Sequence, residues 1–177
     1  MRIHSESLIS HPQPLVYEAY RDRLAEIAEY MPDIKEIRVE KRDEKPGVVT
    51  IHNVWIANNE IPVFARAFIK PEMLQWDDFA EWKDEEGRVY WKLKLRVFSD
   101  NVTCGGTNTF KKVDDESTKV VLDGDLDIDL KSMPGVPRLL AGGLTPTVEQ
   151  FIVSLITPNL EKVNPSLQRY LDDRANG

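Results

Sequence analysis

TPTVEQFIVSLITPNLEKVNPSLQRYLDD, residues 145–173, carries the longest apolar stripe in the chain. Val148, Phe151, Ile152, Leu155, Ile156, Leu160, Val163, Leu167 and Leu171 recur at three- and four-residue spacing, as one face of a helix does. Thr145 reads as an N-cap with Pro146 in the first turn. Such a helix spans about 40 Å at ~1.5 Å per residue, enough to cross a sheet. Pro158 and Pro165 lie inside the stripe, and each is expected to kink or break it by removing a backbone hydrogen bond.

Upstream the period changes from 3.6 to 2. Val89, Trp91, Leu93, Leu95 and Val97 alternate with Tyr90, Lys92, Lys94 and Arg96, a strand with one dry and one wet face. Similar strands are read at Ile3–Ile9, from about Ile37, and at Val48–Ala57, Met73–Lys83, Val102–Val113 and Thr118–Leu130. Short turns join them, Asp84–Gly87 and Ser99–Asn101 among them, which implies an antiparallel meander. Gly105-Gly106 inside a strand predicts a bulge or bend. Ile61–Lys70 reads as a short helix, and Lys131–Leu144 as a Pro/Gly-containing loop.

A first helix follows His11-Pro12-Gln13-Pro14, with Leu15, Val16, Ala19, Tyr20, Leu24, Ile27, Ala28 and Met31 on one side and Pro32 ending it. A long amphipathic helix and a half-apolar meander bury their dry faces most simply against each other. The expected fold is therefore α+β, a curved antiparallel sheet of about six to seven strands wrapped around the C-terminal helix. The first helix is expected near the sheet edge, and residues 1–177 form one domain enclosing an apolar cavity.

Composition narrows the partners. The net charge is −7, which argues against nucleic acid and against docking on anionic lipid, since both need clustered Lys and Arg. No window approaches 18 apolar residues, so no stable membrane insertion is expected. Cys104 is the only cysteine, and the N-terminus lacks the apolar run of a signal peptide. Cytoplasm is the expected compartment.

This order of elements resembles the START, polyketide-cyclase and birch-pollen-allergen superfamily, also called SRPBCC or helix-grip. The likeness rests on that order, on the His11-Pro12 strand-to-helix junction, and on Pro134-Gly135-Val136-Pro137 to Ala141-Gly142-Gly143 before the last helix. Bacterial branches with a similar Pro…Gly-Gly segment are the nearer likeness, and PRELI-type lipid-transfer proteins a weaker one. Where plant members carry a glycine-rich loop, this chain has Arg42–Gly47, with one glycine and four charges. The resemblance implies binding or transport of a hydrophobic small molecule or lipid in an internal cavity, without catalysis. The alternative it implies is a cyclase, aromatase or dehydratase-like enzyme with acid–base residues in the cavity.

The candidate residues are few. Strict alternation from Leu74 to Trp82 places Asp78 on the face of Trp76, Ala80 and Trp82, where burial would raise its pKa. A twist or bulge would turn it outward, and that is the preferred reading because twisted strands often break alternation. His52 would serve as a base if it faced inward. His11 is assigned to helix capping. Trp55, Trp76, Trp82, Trp91, Phe110, Met133, Leu140, Phe151 and Leu155 are the expected cavity lining, with Met133 to Leu144 at its mouth. Asp123, Asp125, Asp127 and Asp129 form a straight ladder that lacks the looping backbone of a Ca²⁺ site, and no metal or other cofactor is expected.

Overall fold

Alternation that buries one side of every strand produces a single sheet in the computed structural model. Its strands are β1 (Arg2–Ile9), β2 (Ile34–Lys45), β3 (Val48–Ala57), β4 (Gln75–Lys83), β5 (Arg88–Leu95), β6 (Val102–Lys112) and β7 (Thr118–Ile128). The structure describes residues 1–58, 60–61, 66, 70, 74–96, 99–129 and 138–176, with backbone only for 138–148. The expected short helix at Ile61–Lys70 lies almost wholly outside the described residues; of the expected loop Lys131–Leu144, residues 131–137 lie outside them and 138–144 are helical.

The sheet order is β1-β7-β6-β5-β4-β3-β2, and every neighbouring pair is antiparallel. Six strands, β2 to β7, lie side by side in chain order, while β1 pairs with β7. The link from β1 to β2 must therefore pass from one edge of the sheet to the other. Helices α1 (Gln13–Asp22) and α2 (Leu24–Ile27), followed by a 3₁₀ turn at Ala28–Tyr30, make that crossing. The first helix thus breaks at Arg23 instead of running to Met31, and Leu15 is exposed. Nor does it sit at the sheet edge. Tyr17 and Tyr20 pack edge-on against Phe110 of β6, and both reach Trp82 of β4. The reason is area: two phenol rings bury more against central strands than against the charged edge strand β2.

Helix α3 (Arg138–Asn176) is longer than expected and starts before Thr145, so Thr145 is not its cap. It also continues through Pro146, Pro158 and Pro165. Pro158 and Pro165 remove the donors to the carbonyls of Ser154 and Glu161, and both of those residues are exposed, where water can serve instead. On the opposite side Ile152, Ile156, Val163 and Leu167 are almost wholly buried, and that packing holds the helix together across the prolines. Substituting Ile156→Val deletes one methyl group there. It is expected to cost about 1 kcal/mol in urea denaturation without loss of helix content. No helix among the described residues is long and apolar enough to cross a membrane.

The glycine pair works differently from a bulge. Gly105 and Gly106 pair in unbroken register with β5 and β7. The register shifts fall in β2, between Ile34 and Glu36 and between Val39 and Lys41. What the glycines supply is space. A Cβ on Gly106 would stand 2.2 Å from the Asp123 carbonyl oxygen and 2.7 Å from the Trp91 ring. One on Gly124 would stand 2.8 Å from the same ring.

Candidate functional site

The inner faces of β3 to β6 converge on a polar spot in an aromatic surround. Asn53, Asp78 and Leu93 are cross-strand partners, so the three side chains stand in one row. Asp78 is only 6% exposed. Alternation along β4 is strict, and the twist expected to turn Asp78 outward does not occur. The paired ladders on both sides hold the strand to its register, and the inward face of β4 carries Trp76, Asp78, Ala80 and Trp82 together.

Asp78 Oδ2 accepts N–H donors from Asn53 Nδ2 at 3.2 Å and Trp55 Nε1 at 3.3 Å. Asp78 Oδ1 is buried and has no hydrogen-bond partner among the described residues. Burial pushes the carboxyl up to about 6, and the two donors pull less strongly in the other direction. Beside it, Trp91 Nε1 donates to Asn108 Oδ1 at 3.0 Å, and Asn108 Nδ2 donates to the Tyr20 hydroxyl oxygen at 2.9 Å. Burial raises the Tyr20 phenol well above its ordinary value and pushes the Cys104 thiol up to about 12.

Between these groups lies a cavity of about 30 Å³. One or two water molecules fill such a space. Trp55, Trp82 and Trp91 form its indole walls, and Asn53, Asp78, Asn108 and Tyr20 its polar end. Leu24 of α2 and Leu160 of α3 close the remaining sides, with Arg21 of α1 at the rim. Arg21 is held by two carboxylates, Asp22 and Asp84.

Of the expected lining residues, Trp55, Trp82 and Trp91 stand on this wall. Trp76, Phe110, Phe151 and Leu155 are buried but do not line it. Trp76 stacks on Trp55 at 5.6 Å, and Phe110 belongs to the tyrosine cluster of α1. Met133 and the side chain of Leu140 lie outside the described residues, as does the expected mouth up to Pro137; from Arg138 to Leu144 its backbone is the first part of α3 and not a loop. The polar members Tyr20, Asn53 and Asn108 were not anticipated from sequence. Their signal was present only in part, since Asn53 shares an alternating face with Ile51 and Trp55.

His52 stands on the outer face and so is no partner for Asp78. Its Nε2 contacts Asp77 Oδ1 at 2.8 Å, and its ring stacks on exposed Phe79 at 4.5 Å. Partial burial works to raise the Asp77 carboxyl, but His52 and Arg96 outweigh it and hold it below its ordinary value. His11 is not a cap: its Nε2 binds Asp172 of α3 at 2.9 Å, and α1 has no side-chain cap. The β7 aspartates Asp123, Asp125 and Asp127 point outward, and Asp129 just beyond the strand is exposed; Asp123 is bound by Arg2 and His4. Among the described residues no group of side chains could hold a metal ion.

No protein-family model matches the chain, and no curated protein sequence matches it. Solved structures do. A protein from Thermus thermophilus superposes with a TM-score of 0.62 at 20% identity, over 96% of this chain and 95% of that one. The Zhui aromatase/cyclase of a Streptomyces species gives 0.68 at 15% identity, covering 99% of this chain and 95% of its own. Norcoclaurine synthase from Thalictrum flavum gives 0.57 at 11% identity, covering 97% and 86%. At such identities the likeness is one of fold. A seven-stranded antiparallel sheet closed by one long C-terminal helix, superposing over nearly its whole length on such proteins, gives this chain a helix-grip fold.

Proposed function

We propose that the chain binds a small, mostly apolar molecule between sheet and α3, and that a polar group of this molecule meets Asp78. The observation that carries the reading is Asp78 Oδ1, a buried carboxyl oxygen on a cavity wall with no partner among the described residues. Buried polar atoms are almost always hydrogen-bonded, and leaving one bare costs about 1–3 kcal/mol. An atom kept in that condition beside open space suits a guest that supplies the missing bond. The polar end favours a compact ligand with one polar function over a lipid chain, which offers nothing for Asp78 to bind. Zhui and norcoclaurine synthase, whose names describe work on small organic molecules, share the fold and are consistent with this reading.

Native mass spectrometry of protein extracted gently from cells provides the test. The expected result is a small organic adduct that is displaced by added ligand and weakened at least tenfold by Asp78→Leu. A chain that neither retains nor takes up any small molecule overturns the reading.

A second reading, catalysis, is favoured by one observation. A carboxyl poised at about 6 is both donor and acceptor near neutral pH, as a general acid or base needs to be. Asp78 would hold or release a proton at Oδ1 while Asn53 and Trp55 fix Oδ2. Under this reading the extracted adduct differs chemically before and after incubation, and Asp78→Asn keeps binding but stops the change. An adduct that stays unaltered with the intact protein removes it.

A further inference from the structure

Three properties of the cavity end bear on the chemistry of the guest, given the small-molecule reading above. First, Asp78 is prepared for the ionised form. Both side-chain contacts to Oδ2 are N–H donors, and among the described residues no acceptor stands ready for a carboxylic acid proton on Oδ1. Second, no cation among the described residues forms an ion pair with it. Arg21, which reaches the cavity rim, is already shared by Asp22 and Asp84. Third, the walls are aromatic, with the indoles of Trp55, Trp82 and Trp91 and the phenol of Tyr20 around the carboxyl. Aromatic rings attract cations over their faces, and a buried charge is costly until an opposite charge meets it.

We infer that the cavity takes the ammonium head of a small organic amine, with Asp78 Oδ1 as its counter-ion and the tryptophans around its carbon stem. A volume of about 30 Å³ admits a head the size of water. It suits a primary ammonium and excludes a trimethylated one. A neutral alcohol could also donate to Oδ1, but it would leave the carboxylate charge uncompensated in an apolar surround. The chain's net charge of −7 adds a long-range attraction for cations.

The test compares pairs small enough for that volume on the full chain, methylamine against methanol and ethylamine against ethanol, followed by tryptophan fluorescence and calorimetry. At pH 7.5 each amine is expected to bind at least tenfold more tightly than its alcohol. Asp78→Asn, shown folded by circular dichroism, is expected to abolish that preference. In the intact chain amine affinity is expected to fall about tenfold between pH 7 and pH 5, as Asp78 takes up a proton.

The other groups facing Asp78 are Tyr20 and Arg21 from α1 and Cys104 from β6, none of which changes charge in that window. His52 acts on Asp78 through space from the outer face of β3. His52→Gln is therefore expected to leave the pH profile in place. Equal binding of amine and alcohol, a preference that survives Asp78→Asn, or a profile that disappears with His52 overturns the inference while leaving the small-molecule site standing. Binding of neither class overturns the site itself.

Discussion

Gly106→Ala is expected to cost about 4 kcal/mol or to yield insoluble protein, the largest loss for a single added methyl group at any of the described glycines. Overpacking by one or two methylenes normally costs about 1–3 kcal/mol, because flexible side chains absorb the strain. Here two of the three nearest atoms are backbone: the Asp123 carbonyl oxygen at 2.2 Å and the Gly124 Cα at 2.6 Å. Relief requires β6 and β7 to separate, and these strands pair without interruption from Val102 to Lys112. The third atom belongs to Trp91, so the same shift disturbs the indole that holds Asn108.

A graded series checks this by urea denaturation. Gly124→Ala meets the Trp91 ring at 2.8 Å and is expected to cost less, part of it recovered in a Trp91→Leu background. Gly106→Ala is not recovered there, because its main collisions are with backbone. Gly47 has a φ of +73 and open space around it, so Gly47→Ala is expected to cost only about 1 kcal/mol, the strain of a left-handed residue. A Gly106→Ala protein as stable as Gly47→Ala would contradict the packing described here.

The glycines also show where sequence stops being informative. Paired glycines announce that a strand has an unusual neighbour, but not whether it is a bulge or a ring. The deciding atom sits on Trp91, in another strand, and only the sheet register brings it over Gly106 and Gly124. By contrast β5 was legible residue by residue, because one of its faces is dry and the other wet along its whole length. Strand β3 was not: Asn53, Val54 and Trp55 are all buried, so both faces are covered there and alternation is lost. This is why the outward side of His52 could not be read.

The start of α3 was misread for a related reason. Thr145-Pro146 has the chemistry of a helix beginning, and a proline inside a helix leaves little trace in periodicity. The site itself was half legible. Asp78 follows from strict alternation on β4, a pattern whose plain reading was correct. Tyr20, Asn53 and Asn108 come from α1, β3 and β6, and their meeting is a property of the packed sheet and crossing helix.

Asp78→Asn is expected to stabilise the protein by about 2 kcal/mol at pH 8 while weakening its binding site. The carboxyl titrates at about 6 in the folded chain against an ordinary 3.8, so the folded state holds its proton more tightly than the unfolded one. The sign follows from that difference. Below about pH 3 both states are protonated and Asp78 carries no charge penalty. As pH rises from about 3 to about 6 the unfolded state releases the proton first, and stability declines. Above about 7 both states are ionised, and the full cost of burying the charge, about 3 kcal/mol, is present. Asparagine keeps an oxygen for the donors of Asn53 and Trp55 and removes the charge. Its own amide faces the cavity, which returns about 1 kcal/mol of the gain.

Urea denaturation at pH 4, 5, 6 and 8 checks this, with the intact chain and the variant compared at each pH. The other carboxylates are common to both proteins, so they drop out of the difference, which should grow from about pH 4 to 7 and then level off. Parallel profiles would mean that Asp78 is solvated or already paired. A growing difference would mean that the fold retains a charged group at a cost to its own stability, as is common where a residue serves binding or chemistry. Saturating methylamine should then shrink that difference at pH 8, because an ammonium group beside Oδ1 returns the carboxyl toward its ordinary value.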